Sequence, residues 1–136
     1  MSEITIHSDG AARGNPGPAG AGAVLTDPDG KLVGEVCKYL SDDMTNNQAE
    51  YNALILALKE ARLKGATRLK IFADSELMVK QIRGEYKVKN EGIKPLYLEA
   101  MELLRHVGNF SIEYIPRERN KRADKLANLA IDGQML

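Results

Sequence analysis

Residues 4–40 read ITIHSDGAARGNPGPAGAGAVLTDPDGKLVGEVCKYL, and this stretch decides the fold class. Ile4 to Ser8 alternates, with Ile4 and Ile6 on one face, which is the period of a strand. The chain then runs through Asp9-Gly10 into a glycine-rich segment, Gly14-Asn15-Pro16-Gly17-Pro18. Ala21 to Thr26 reads as a second strand. Asp27-Pro28-Asp29-Gly30 is turn chemistry, since Pro presets φ and Gly accepts a positive one. Leu32 to Leu40 is a third strand. Short connections between the three predict an antiparallel meander.

Beyond the meander the period changes. From Thr45 to Lys64, the residues Leu54, Ala57, Leu58 and Ala61 recur at helical spacing, and Gly65 closes the helix. Arg68 to Ala73 is a strand, followed by a short helix from Ser75 to Arg83 that Gly84 stops. Lys94 to Val107 is helical, with Pro95 in its first turn. Phe110 to Ile115 is the last strand. Asn120 is placed to cap a final helix ending near Asp132-Gly133. A meander followed by strand–helix units predicts an α/β fold. The sheet is expected to be mixed and five-stranded, an antiparallel three-strand meander plus parallel strands, flanked by helices.

Residues 1–136 suit a single domain with one core. Lys+Arg and Asp+Glu each total 19, so the net charge is zero and no basic footprint advertises nucleic acid. Any such binding must come from local charge or from metal ions. Cys37 is the one cysteine, which excludes an internal disulfide and a cysteine-based zinc cluster. No basic-then-apolar leader opens the chain, and no apolar run approaches the ~20 residues that span a bilayer. The expectation is a cytoplasmic, monomeric protein with no membrane contact.

Four carboxylates stand in places that need a reason. Asp9 follows the first strand and Asp74 follows the fourth, where open α/β sheets place their sites. Alone, each is also an ordinary turn or cap residue. Glu50 lies four, seven and eleven residues before Leu54, Ala57 and Ala61, so it shares their apolar stripe. An unpaired charge there is costly. Asp124 lies in the first turn of the last helix, where the helix dipole alone favours an acid. Together, the four can converge on one edge of the sheet. Clustered anions raise one another's pKa values, and hard cations relieve that. Mg²⁺ takes oxygen ligands at ~2.0–2.1 Å and keeps several waters, so a few carboxylates and a substrate phosphate suit it. Two such ions serve phosphodiester hydrolysis. No Ser-His-Asp arrangement competes, because His7 and His106 are the only histidines.

At these residues the chain resembles type 1 ribonuclease H along nearly its whole length. The resemblance is carried by Ser8–Pro18, by Thr45-Asn46-Asn47-Gln48-Ala49-Glu50-Tyr51, by Ala73-Asp74-Ser75, and by Asn120-Lys121-Arg122-Ala123-Asp124-Lys125-Leu126-Ala127. It implies hydrolysis of the RNA strand of an RNA–DNA hybrid, with 5′-phosphate and 3′-hydroxyl ends. It implies that Asp9, Glu50, Asp74 and Asp124 hold two Mg²⁺ or Mn²⁺ ions. It implies substrate contacts from Gly10, Arg13, Gly14, Asn15, Asn46 and Asn47, partly to 2′-hydroxyls, and a DNA phosphate held at Thr45. These roles make physical sense, since the 2′-hydroxyl separates RNA from DNA and Asn both donates and accepts.

The chain departs from many members of that family in two places. No histidine stands in Ile115-Pro116-Arg117-Glu118-Arg119, so it is similar to the subgroup with an arginine there, and Arg117 is the candidate. An arginine can bind the scissile phosphate but cannot shuttle a proton at neutral pH. The long basic protrusion after the third carboxylate is also missing, and residues 84–92 are short and mixed in charge. Weaker, salt-sensitive hybrid binding is the expectation. Two alternatives stay open: a catalytically inactive nucleic-acid scaffold of the same fold, and a related nuclease that also acts on double-stranded RNA.

Overall fold

The computed structural model describes residues 2–134. Five strands form one sheet: β1 (Glu3–Ala12), β2 (Gly17–Thr26), β3 (Leu32–Met44), β4 (Arg68–Ala73) and β5 (Phe110–Tyr114). Their order across the sheet is β3-β2-β1-β4-β5. The first three pair antiparallel, while β4 runs parallel to β1 and β5 parallel to β4. This is the mixed five-stranded sheet expected from the meander and the strand–helix units.

The helices are α1 (Asn46–Leu63), α2 (Glu76–Ile82), α3 (Lys94–Val107) and α4 (Lys121–Gln134), with a 3₁₀ turn at Arg117–Arg119. Thr45 caps α1 in a reciprocal capping box with Gln48. At the other end Gly65 takes φ 76°, a left-handed conformation that costs glycine little. Gly84 does the same after α2, at φ 81°.

The main core lies between the sheet and α1, joined by residues of α2 and α3. Ile6, Leu25, Leu69 and Ile71 of the strands meet Leu54, Leu58 and Leu104 of the helices, all buried. The opposite face carries α4 over a small cluster of Ala11, Ala127 and Ile131. Among the described residues, no helix is long and apolar enough to cross a membrane.

Three strands run further than their patterns suggest. β1 continues through Asp9 to Ala12, β2 begins at Gly17, and β3 extends to Met44. Asp9 therefore sits within a strand rather than after one. Glycine and alanine hid the first two extensions, and Asp42 and Asp43 hid the third, because all three residue types are depleted in ordinary strands. Here the glycines are needed for contact. A Cβ on Gly22 would lie 2.2 Å from the Ala123 carbonyl oxygen, and one on Gly20 would lie 2.4 Å from that of Ala127. The strand and the α4 backbone touch directly, which only glycine allows.

Candidate active site

The register of two parallel strands starts the site. Ser8 of β1 lies opposite Ala73 of β4, so Asp9 and Asp74 come next to each other along adjacent strands. The third carboxylate comes from α1, which presses on β1 at Gly10. A Cβ there would lie 2.1 Å from the Ala49 carbonyl carbon. The Gly10 amide donates to Glu50 Oε1 at 3.1 Å. Glycine at position 10 thus lets the helix bring Glu50 down beside Asp9.

Carboxylate oxygens of Asp9, Glu50 and Asp74 all lie within 4.8 Å of one another. Asp9 is 1% exposed, and its Oδ2 has no hydrogen-bond donor. Burial pushes the Asp9 carboxyl up to about 10, helped by the charges of Glu50 and Asp74 and by hydrogen bonding to Asp124 and Asp74. Burial also raises Glu50, to about 8, with the charge of Asp74 adding and the Gly10 amide opposing. A buried carboxylate with one donor-free oxygen, clustered with two further acids, is poorly satisfied by protein alone. It fits a hard divalent cation, since an all-oxygen donor set suits ions of that class.

Asp124, the fourth predicted carboxylate, stands outside that trio and adjoins it through Asp9. It is held from its own helix, where Asn128 Nδ2 donates to the Asp124 carbonyl at 2.9 Å and to its carboxylate at 3.3 Å. Arg117 Nη2 lies 3.8 Å from Asp124 Oδ1, with the arginine side chain 73% exposed. Arg117 is therefore a largely exposed cation, loosely paired with Asp124 at the rim of the site.

The predicted substrate residues divide into two groups. Thr45, Asn15, Asn46 and Asn47 gather where the β1–β2 turn meets the start of α1. Asn46 N donates to Asn15 Oδ1 at 3.0 Å, and Ala12 N donates to Asn46 Oδ1 at 3.1 Å. Thr45 Oγ1 accepts from Gln48 N, which leaves its hydroxyl proton to donate elsewhere. Asn47 is exposed and lines a small cleft with Tyr51, Leu77, Gln81 and Asn90. Gly10 is buried under α1, and Gly14 turns the loop with φ 91°. Arg13 points the other way: its guanidinium reaches Asp132 at 2.6 Å and the Asn128 side chain at 3.2 Å.

One expectation fails at Asn120. Its carbonyl does accept from Asp124 N at 3.0 Å, as a residue ahead of a helix should. Its side chain does not cap α4, because Oδ1 is buried without a partner. The amide turns inward instead, and Nδ2 donates to the Ser8 carbonyl at 2.8 Å and to Asp74 Oδ2 at 3.3 Å. The sequence pattern offers no signal for this, since a buried inward amide and an outward cap share the same residue type.

Residues 7–130 match the family described as Reverse transcriptase-like. The chain belongs to this family of ribonuclease H-like domains. Ribonuclease HI of Halobacterium salinarum is 44% identical over 129 residues, covering 95% of this chain and 64% of that protein. LC11-RNase H1, solved in complex with an RNA/DNA hybrid, superposes with a TM-score of 0.93 at 42% identity, over 98% of this chain and 99% of that one. A bifunctional protein of Mycobacterium tuberculosis is 42% identical over 130 residues, yet this ribonuclease H-like domain spans only 36% of its length.

Proposed function

We propose that this ribonuclease H-like domain is a divalent-metal-dependent endonuclease that hydrolyses the RNA strand of RNA–DNA hybrids. The products carry 5′-phosphate and 3′-hydroxyl ends. The observation that carries the reading is the trio of Asp9, Glu50 and Asp74, in which Asp9 is buried and has one oxygen without a donor. The hybrid bound by LC11-RNase H1 supports the choice of substrate.

Two Mg²⁺ or Mn²⁺ ions bound there supply Lewis acidity to an attacking water and to the departing 3′-oxygen. The chain's own residues do the rest. Asp9, Glu50 and Asp74 present converging oxygens from a strand, a helix and a strand end. Asp124 adds a fourth carboxylate beside Asp9. Arg117 brings a fixed positive charge toward a phosphate approaching the rim, and takes no part in proton transfer. Thr45 donates its hydroxyl to a phosphate of the DNA strand. Asn15, Asn46 and Asn47, with Gly10 seating α1 and Gly14 and Arg13 shaping the loop, read the sugar edge where the 2′-hydroxyl marks RNA.

The test is incubation with end-labelled RNA–DNA hybrid, double-stranded RNA, single-stranded RNA and double-stranded DNA, with Mg²⁺, with Mn²⁺ and with chelator. The expected result is internal cleavage of the hybrid's RNA strand, abolished by chelator. Cleavage of double-stranded RNA as well would widen the substrate class. Hybrid binding without cleavage in either metal would leave the scaffold reading in its place.

A further inference from the structure

We infer that Asn120 is a positioning residue for the metal-binding carboxylates, and that its amide sets the orientation of Asp74. This inference rests on the metal-dependent reading above.

Asn120 is 2% exposed, among the most buried polar residues of the described chain. It spends both amide protons on a bridge between two strands of the site. One goes to the carbonyl of Ser8, the residue directly before Asp9, at 2.8 Å. The other goes to Asp74 Oδ2 at 3.3 Å. The same residue accepts the amide of Asp124 on its carbonyl, at 3.0 Å. One buried side chain thus touches Asp74, the strand carrying Asp9 and the helix carrying Asp124.

The arrangement is disadvantageous if its purpose is stability alone. An asparagine ahead of a helix ordinarily caps it with Oδ1. Here Oδ1 is buried and unpartnered, so the cap is given up and a polar atom is left unsatisfied. What the inward rotamer provides is a donor to a carboxylate that stands within 4.8 Å of two others. A donor there restrains the Asp74 carboxylate beside Asp9 and Glu50. Groups that orient a ligand from behind in this way typically change metal affinity or activity ~10–100-fold when removed.

The experiment compares wild type, Asn120→Ala and Leu103→Ala. Leu103 lies in α3 within the main core, on a helix that contributes none of the four carboxylates, and serves as a control for loss of stability. Mn²⁺ binding is read by calorimetry, and the Mg²⁺ dependence of hybrid cleavage is read in parallel. Asn120→Ala is expected to weaken Mn²⁺ binding about 10-fold or more and to shift the Mg²⁺ requirement upward by a similar factor. Activity should be partly regained at high metal, with KM for the hybrid little changed. Leu103→Ala is expected to melt lower but to bind Mn²⁺ as wild type does.

Equal Mn²⁺ affinity in wild type and Asn120→Ala would overturn the inference. If wild type itself bound no metal, the metal-dependent reading would fail first, so the two failures are distinguishable. Wild-type protein also offers a test free of folding defects. The Asn120 side-chain amide in a ¹⁵N-labelled sample should be slow to exchange and should shift along the Mg²⁺ binding curve. A rapidly exchanging amide that ignores Mg²⁺ would equally overturn the inference.

Discussion

The two faces of the sheet hold their helices by different means, and the candidate site is assembled from both. Under α1 lies a deep apolar core, with Leu54 and Leu58 among its fully buried residues. Under α4 the cluster is Ala11, Ala127 and Ile131, and contact depends on glycines 20 and 22 meeting helix backbone. α1 delivers Glu50 into the carboxylate trio, whereas α4 delivers Asp124 beside it and the residue just before α4, Asn120, stands behind it. The lesson is a division of labour. The thickly packed face supplies an acid to the centre of the site, and the thinly packed face supplies groups that adjoin and orient.

The largest expected effect separates the two helices by activity. Glu50→Gln should lower hybrid cleavage about 10³-fold, equivalent to about 4 kcal/mol of transition-state stabilisation. Asp124→Asn should lower it only about 10- to 100-fold, because its carboxylate stands outside the trio. Single-turnover cleavage at saturating Mg²⁺ measures both, and equal losses would erase the distinction.

Packing should divide the same way. Leu54→Ala removes a fully buried side chain under α1 and should cost about 3–5 kcal/mol in urea unfolding of the metal-free protein. Leu126→Ala in α4, where the side chain is 8% exposed, should fall nearer 2–3 kcal/mol. Gly22→Ala should cost about 1–3 kcal/mol, because the new methyl would have to displace the α4 backbone. Wild-type stability in Gly22→Ala would show that α4 is not seated on that strand as described.

The first of these contrasts was legible in the sequence, and the second was not. The stripe of Leu54, Ala57, Leu58 and Ala61 announced α1 and exposed Glu50 as a charge in an apolar row. Ile4, Ile6 and the turn at Asp27–Gly30 announced the meander. The helix boundaries at Gly65 and Gly84 followed from glycine's tolerance of positive φ. The lengths of β1 and β2 escaped, because Asp9 to Ala12 and Gly17 to Gly20 carry no alternation of large and small side chains to count. The role of Gly20 depends on what packs over it, and that partner lies a hundred residues later in the chain. Asp9, Glu50 and Asp74 were found by position and by resemblance, yet their mutual distance depends on strand register and on the close approach of α1 at Gly10. Asn120 was noticed for the right residue type and given the wrong task, since the direction of a side chain's rotation has no sequence pattern.

A pH series sharpens the comparison further. Asp9 at about 10 and Glu50 at about 8 both lie above their ordinary values. In the unfolded chain these groups lose their protons near pH 4. Between those limits the folded protein holds more protons, so their contribution to stability is complete at low pH and is lost as pH rises. With chelator present, the melting temperature should fall from about pH 5 to about pH 8, and Glu50→Gln should flatten that fall.

The smallest effect belongs to the far end of the α4 contact. Arg122 pairs with Glu35 across to β3 at 2.5 Å, in solvent. Arg122→Gln should cost less than about 1 kcal/mol, as exposed pairs do. A larger loss in thermal unfolding would mean that α4 relies on this bridge more than on its glycine contacts.

The most direct measurement is calorimetric titration of Mn²⁺ into wild type and Asp9→Asn near neutral pH, repeated in two buffers of different ionisation enthalpy. Wild type should bind the ion and release protons as it does so, because carboxyls that hold protons in the empty site must give them up to a cation. Asp9→Asn should bind far more weakly. Binding of Mn²⁺ to both proteins with the same affinity, and no proton release from either, would contradict the claim that the Asp9–Glu50–Asp74 cluster is where the cations sit.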